Sequence, residues 1–168
     1  MTTLDSAEAW IARLGLKPLP EEGGLFRETV RSDETLGEGA LPHRYGGPRA
    51  LYSAIYYLLT PRAFSALHRL RSDETWFFHA GDPVTMLQLF ETGTAREVKL
   101  GNSGAPGVEP QVHVPRRVWQ GARLDPGGRY ALVSCCVAPG FDPADREMGD
   151  RDKLAQAYPS HRHRISVY

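Results

Sequence analysis

The chain has 168 residues, enough for one domain with its own hydrophobic core and short for two. It carries 20 basic and 20 acidic side chains, and this zero formal net charge argues against a nucleic-acid-binding protein and against a polybasic membrane anchor. No segment approaches the roughly 20 apolar residues that cross a bilayer, and the N-terminus lacks the basic and apolar regions of a secretory signal, so we expect a cytoplasmic protein.

The first predicted element is a helix over about residues 5–14. Asp5 and Glu8 have the spacing of a capping box, and the apolar side chains that follow can form one stripe of a helix. Gly15 stands where a helix commonly ends, and the two prolines after it cannot extend the helix. We therefore expect a short N-terminal helix before the rest of the fold.

From Gly23 onward, short apolar runs alternate with turn residues, which is typical of a β-sandwich or barrel. A polar stretch over residues 32–48 is predicted to be an exposed loop. Residues 143–158 are predicted to contain a short C-terminal helix, and the tail after them is expected to return as an edge strand. The predicted strands cover residues 25–31, 51–59, 64–70, 74–80, 84–90, 96–100, 111–114, 118–123 and 130–137.

His68 and Glu74 are the main candidate site residues. If the strands around them are antiparallel neighbours joined by a turn at residues 71–73, the two side chains lie on one face. Alternation then places Leu70 beside His68, and Trp76 and Phe78 in line with Glu74. An imidazole and a carboxylate that face one apolar cavity can share a metal ion or act as a base and its orienting acid.

The same residues resemble the first motif of the cupin superfamily, which in this chain consists of His68, Leu70, Glu74 and Gly81. The second motif corresponds to residues 115–120. Further runs resemble the branch of that superfamily called DUF985, and they cover residues 22–29, 54–59, 72–76, 79–83 and 137–142. The resemblance implies an all-β, single-domain cupin over residues 1–168. Its double-stranded β-helix, or jelly-roll barrel, would have a core over about residues 23–140, a small-molecule site inside and a homodimeric assembly.

The chain departs from the motifs of metal-binding cupins, which use three histidines and one glutamate. Leu70 and Gln120 stand at two of the histidine positions, and Arg117 replaces the glycine of the second motif. The strong ligands that remain are His68 and Glu74, with Gln120 as a weak oxygen donor. No cofactor is certain, and we expect at most a weakly bound divalent metal.

Other side chains are candidates to contact a ligand. Alternation turns either Tyr56 or Tyr57 inward, where its phenol is a possible proton donor near His68. The adjacent thiols of Cys135 and Cys136 should point to opposite faces of their strand. Several arginines near the site, Arg69, Arg71, Arg116 and Arg117, are candidates to bind anionic groups. The predicted ligand-contacting residues are Trp76, Phe78, Gln120, Trp119, Arg27 and Ser65.

Three functions are compatible with these residues. The first is an isomerase, epimerase or lyase that acts on a small polar substrate of the sugar or keto-acid kind, with His68 as base, Glu74 holding its tautomer and a tyrosine as acid. The second is a metal-dependent oxygenase. The third is a non-catalytic protein that binds a small ligand. The third predicts that hydrogen bonds engage His68 and Glu74 instead of leaving them directed at open space.

Overall fold

The structure is a computed structural model that describes residues 6–168. The helices are α1 (Ala7–Leu14), α2 (Arg151–Ala157) and α3 (Arg162–Ile165). The strands are β1 (Lys17–Pro18), β2 (Leu25–Arg31), β3 (Thr35–Leu36), β4 (Arg49–Ala50), β5 (Ser53–Leu59), β6 (Ser65–Leu70), β7 (Asp73–Gly81), β8 (Val84–Leu89), β9 (Ala95–Leu100), β10 (Val108–Glu109), β11 (Gln111–Val114), β12 (Trp119–Leu124), β13 (Ala131–Ala138) and β14 (Arg146–Met148).

Two six-stranded sheets face each other. Sheet I has the strand order β1-β2-β5-β13-β7-β11, and sheet II has the order β10-β9-β8-β12-β6-β14. The short strands β3 and β4 form a separate pair within the region predicted to be a loop. The all-β prediction is confirmed. Over residues 6–168 the sheets form a sandwich of the jelly-roll kind and do not close into one continuous barrel.

The main hydrophobic core lies between the two sheets. Tyr57 and Trp76 enter it from sheet I, and Met86 and Ala122 enter it from sheet II. Alternation along each strand sends the next side chain to the opposite face. Several of these outward side chains are apolar, so part of the outer surface of each sheet must be covered. Helix α1 covers part of the outer face of sheet I, and the C-terminal helices cover part of the outer face of sheet II.

The N-terminal helix is capped at both ends, by Ser6 at its start and by the expected Gly15 at its end. The Ser6 hydroxyl accepts a hydrogen bond from the Ala9 amide at 3.2 Å, which satisfies one of the free amides of the first turn. Gly15 has a left-handed conformation with φ of 63°, as is common after the last helical residue. Asp5, on which the capping-box prediction depended, lies outside the described residues.

The C-terminal tail is helical, and the prediction of an edge strand is wrong. Helix α3 follows a 3-10 turn, and its Ile165 is fully buried against sheet II. Tyr168 is buried in the same cluster, three residues further along. A turn after α3, in which the Tyr168 amide donates to the Ile165 carbonyl at 3.2 Å, brings both side chains to the same cluster, whereas in a strand a spacing of three would put them on opposite faces. None of the described helices has the length and apolar character needed to span a membrane.

The expected pairing of the strands that carry His68 and Glu74 is also wrong. Strand β6 pairs with β12 and β14 in sheet II, whereas β7 pairs with β13 and β11 in sheet I. The chain therefore crosses from one sheet to the other between Leu70 and Asp73. His68 and Glu74 approach each other across the interior of the sandwich instead of lying side by side on one sheet.

Candidate functional site

A cavity opens between the sheets at the end where β6 passes into β7. Its interior volume is about 60 Å³, and the empty space is about 560 Å³ when its open mouth is included. Most of its lining is apolar, as in most small-molecule sites, and a few ionisable groups interrupt that lining. The lining residues are Leu19, Glu22, Phe26, Glu28, Ser53, Ile55, Tyr57, His68, Leu70, Glu74, Trp76, Cys135, Val137 and Phe141.

His68 is held in one orientation by its own strand. The side chain is 2% exposed, and its Nδ1 lies 2.8 Å from the carbonyl oxygen of Ala66. Because a carbonyl oxygen only accepts hydrogen bonds, Nδ1 must carry a proton. The other ring nitrogen, Nε2, lies 3.8 Å from Oε1 of Glu22. In the neutral ring, Nε2 is therefore the nitrogen with a free lone pair.

Glu22 is a cavity residue that the sequence did not single out. It lies in the turn between β1 and β2 and is 8% exposed. Its Oε1 accepts a hydrogen bond from Ser65 at 3.3 Å, and its Oε2 lies 3.4 Å from Nη1 of Arg146. These partners compensate the cost of burying a carboxylate.

Two glycines bring Glu22 to the cavity. Gly23 and Gly24 both have positive φ, at 93° and 67°. A Cβ on Gly24 would lie 2.3 Å from the ring of Tyr57, so the turn can lie against that ring only without a side chain. An acidic residue directly before a glycine pair is the sequence signal that could have identified Glu22 as a site residue.

Glu74 belongs to a buried chain of polar groups. Trp76 Nε1 donates to Gln120 Oε1 at 3.1 Å, and Gln120 Nε2 donates to Glu74 Oε2 at 2.5 Å. Because an indole N–H can only donate, the amide oxygen must face Trp76 and the amide nitrogen must face Glu74. Burial raises the pKa of the Glu74 carboxyl, although His68 and the hydrogen bond from Gln120 act in the opposite direction.

Tyr57 is the tyrosine that faces inward. Its hydroxyl donates to the Gly23 carbonyl at 2.8 Å, and burial raises the pKa of the phenol well above its usual value. Tyr56 lies on the outer face of sheet I, between the guanidinium of Arg27 and the ring of His79. Arg27 is exposed on that same outer face and does not line the cavity.

The remaining predicted ligand contacts are divided between the two faces of the sheets. Trp119 lies on the outer face of sheet II, under the guanidinium of Arg69 at 4.5 Å, so it does not line the cavity. Its neighbour Gln120 points inward because adjacent residues of a strand alternate. Ser65 is fully buried and supports Glu22, and Phe78 packs against the main core outside the cavity lining.

The donor groups do not fit the metal site that the cupin resemblance implies. Within residues 6–168, no group of three or more His, Cys, Asp or Glu side chains is arranged to hold an ion. The Gln120 oxygen already accepts from Trp76 and its amide nitrogen donates to Glu74, so the side chain is held by neighbours in the protein where an imidazole ligand would be needed. Leu70 lines the cavity with an apolar side chain where a further imidazole would be needed.

Residues 8–149 match the family model described as Cupin superfamily (DUF985). A hypothetical protein from Leishmania major is 36% identical, with a TM-score of 0.84 over 96% of this chain and 97% of that chain. A protein from Shewanella oneidensis is 33% identical, with a TM-score of 0.84 over 96% and 95% of the two chains. Oxalate decarboxylase from Bacillus subtilis is 14% identical, with a TM-score of 0.54 over 90% of this chain and 36% of that chain, and the likeness concerns the fold alone. No curated protein matches the sequence.

Proposed function

The chain belongs to the cupin superfamily, in its DUF985 branch, and from this membership and the lining of its cavity we propose that it is a proton-transfer enzyme. The reaction is of the isomerase, epimerase or lyase kind, and it begins with removal of a proton next to a carbonyl group. His68 is the base, acting through Nε2, and Glu74 is the acid. The resemblance also implies a homodimer, which is part of this proposal and which light scattering on the purified protein tests.

One observation carries the proposal: an imidazole and a carboxyl group whose pKa is raised by burial line the same cavity. The Ala66 carbonyl keeps the proton on Nδ1 of His68, so Nε2 can accept one from a substrate. Burial raises the pKa of Glu74 and favours its protonated form, which can donate to a developing oxyanion. Environments that assign opposite roles to two titratable groups are typical of acid–base sites.

Two proposed roles differ from those that the sequence suggested. The Ala66 carbonyl, rather than Glu74, holds the tautomer of His68. The hydroxyl of Tyr57 already donates to Gly23, which makes Glu74 the better acid. Glu22 lies beside His68 Nε2 and stabilises the imidazolium that forms when the base takes up a proton.

The lining also narrows the class of substrate. The apolar walls carry the carboxyl groups of Glu22, Glu28 and Glu74 and no lysine or arginine. Arg146 pairs with Glu22 and Arg31 pairs with Glu28 from outside the lining, so the lining itself holds no arginine or lysine that could bind an anionic headgroup. A small uncharged carbonyl compound, such as a ketose or an aldose, therefore fits the cavity better than a keto acid.

Exchange of substrate protons with solvent tests this proposal directly. The protein is incubated in D₂O with dihydroxyacetone, ribulose, fructose and pyruvate, and ¹H NMR follows loss of the signals next to the carbonyl. We expect exchange of at least one uncharged compound, lost in His68→Asn and kept in the control His79→Asn, whose ring lies on the outer face of sheet I. Equal exchange rates in wild type and His68→Asn would refute the assignment of the base.

A second candidate function is ligand binding without turnover. It is favoured by the hydrogen bonds that both site residues already make within the protein, since His68 donates to the Ala66 carbonyl and Glu74 accepts from Gln120. Calorimetry with the same four compounds separates the two functions. Saturable binding without exchange of any proton identifies a binding protein, whereas exchange that depends on His68 identifies an enzyme.

A further inference from the structure

Outside the cavity, five arginine side chains line one concave cleft on the molecular surface. They are Arg44, Arg69, Arg71, Arg117 and Arg146, and the cleft holds about 1060 Å³ of empty space including its mouth. Its acidic lining residues are Asp145 and Glu147, and Arg146 pairs with Glu21 and Glu22 outside the lining, so the cleft keeps an excess of positive charge mainly through the other four arginines. Leu70 lines both the cleft and the cavity, which places the two sites side by side.

The buried acid of the cleft already has another partner. Both oxygens of Asp145 accept hydrogen bonds from Arg49, at 2.7 and 2.8 Å, and Arg49 does not line the cleft. Arg71 lies further away, with Nη1 3.8 Å from Asp145 Oδ1. Because Arg49 compensates most of the charge of Asp145, little of that charge is left to neutralise Arg71.

Arg44 and Arg71 hold each other in place through their backbones. Nε of Arg44 donates to the Arg71 carbonyl at 3.1 Å, and Nη1 of Arg71 donates to the Arg44 carbonyl at 2.9 Å. The guanidinium of Arg44 also lies over the ring of Tyr45 at 4.7 Å. These partners are neutral, so they order the two side chains without cancelling their charges. An anion that binds both guanidinium groups relieves their mutual repulsion. Because the two side chains are already ordered, little side-chain entropy is lost on binding.

Arg117 reaches the cleft from a strained backbone position. Its φ is 67°, in the left-handed region that favours glycine, and a residue with a side chain there costs about 1–2 kcal/mol. Strain of this kind is commonly found at functional sites. The outer arginines of the cleft have exposed acidic partners, Glu147 for Arg69 and Glu91 for Arg117, and both pairs lie where solvent weakens them.

We propose that this cleft binds the phosphate group of a small molecule, through Arg44 and Arg71 with support from Arg117. The planar guanidinium fork matches the oxygens of a phosphate, and several such forks around one concave site favour a dianion over a carboxylate. The size of the cleft leaves room for an organic group attached to the phosphate. This inference does not depend on the proton transfer proposed for the cavity.

Calorimetric titration of the full chain with inorganic phosphate and with ribose 5-phosphate tests the proposal. We expect saturable binding that weakens with added salt and at least tenfold in Arg44→Gln/Arg71→Gln. The matched control is Arg129→Gln, an exposed arginine outside the cleft, which should bind like wild type. Tighter binding of ribose 5-phosphate indicates a phosphorylated metabolite as the ligand, and tighter binding of inorganic phosphate indicates the free ion.

Arg117→Gly is a second test variant. It should fold normally, because glycine adopts this φ without strain, so any loss of binding cannot be attributed to misfolding. It should keep or raise the melting temperature and still weaken binding several-fold. The absence of saturable binding of both probes would overturn the proposal. So would affinities in the double variant and in Arg117→Gly that equal those of wild type and Arg129→Gln.

Discussion

Replacement of Gln120 by leucine isolates the polar chain that supports Glu74. Leucine has a similar volume, so the main effect is the loss of one acceptor and one donor. Trp76, which is 1% exposed, loses the acceptor of its Nε1–H, and Glu74, which is 7% exposed, loses the donor to its Oε2. Each buried polar group left without a partner costs about 1–3 kcal/mol. We therefore expect the free energy of unfolding to fall by about 2–6 kcal/mol.

The loss should depend on pH in a defined direction. The hydrogen bond from Gln120 lowers the pKa of Glu74, so its removal raises the folded-state pKa further. A carboxyl with a raised folded-state pKa binds more protons in the folded than in the unfolded protein, and stability then decreases as pH rises through that range. The difference between wild type and Gln120→Leu should accordingly be larger at pH 8 than at pH 5.

Urea denaturation followed by circular dichroism at the two pH values measures this loss. The matched control is Gln88→Leu, because Gln88 is also 1% exposed but donates only to the His113 carbonyl and to the sulfur of Met86. Its replacement removes one donor from the part-buried His113 carbonyl but leaves no buried N–H and no carboxyl without a partner, so we expect a loss of only about 0.5–1.5 kcal/mol. If Gln120→Leu loses no more than Gln88→Leu at either pH, the supporting role of Gln120 is refuted.

Three further variants test other contacts. Glu74→Gln removes the carboxyl whose pKa burial raises, so wild type should lose stability relative to this variant as pH rises above about 4.5, measured by urea denaturation. Asp145→Ala leaves the buried guanidinium of Arg49 unpaired and should cost about 3–5 kcal/mol, with most of it regained in Arg49→Met/Asp145→Leu, measured by thermal and urea unfolding. Leu70→His/Gln120→His adds two imidazoles beside His68 and should tighten Ni²⁺ binding at least roughly tenfold, measured by calorimetry.

Each of these three predictions has an outcome that would contradict it. Parallel stability curves of wild type and Glu74→Gln from pH 5 to pH 8 would show that the carboxyl is not desolvated in solution. If Asp145→Ala lowers the free energy of unfolding by less than about 1 kcal/mol, the pair with Arg49 behaves like an exposed ion pair and is not buried in solution. Unchanged Ni²⁺ affinity in the double histidine variant would mean that the side chains at positions 70 and 120 do not converge.

The sequence predicted the strands well because alternation and turn residues are local signals. The bounds of β2 and β11 agree with the prediction at both ends, and the other seven predicted strands differ by one or two residues. The short strands β1, β3, β4, β10 and β14 were not predicted. The sheet to which a strand belongs is not a local property. The link between β6 and β7 resembles a hairpin turn in the sequence, but the backbone at its start bonds elsewhere: Arg117 N donates to the Leu70 carbonyl, and Arg71 N donates to that of Asp145.

The candidate site was predicted in part for the same reason. The cavity brings together His68, Glu74 and Tyr57, all of which lie on strands with a clear alternation. Glu22 joins them through contacts with Ser65 and Arg146, which are 43 and 124 residues away along the chain, so its one local signal is the glycine pair that follows it, and that signal does not indicate these partners. Trp119 and Gln120 were both predicted to contact the ligand, although alternation along one strand allows only one of two neighbours to face inward.

The adjacent cysteines provide a chemical reporter of how the sandwich opens. Cys135 lines the cavity, whereas Cys136 is half-buried on the opposite face of the same strand. Burial raises the pKa of both thiols, and that of Cys135 most, so neither reacts quickly at neutral pH. A bulky alkylating reagent that cannot pass the cavity mouth should reach Cys135 only when the two sheets separate. The ratio of the two labelling rates therefore measures how often the interior becomes accessible to molecules too large for the cavity mouth.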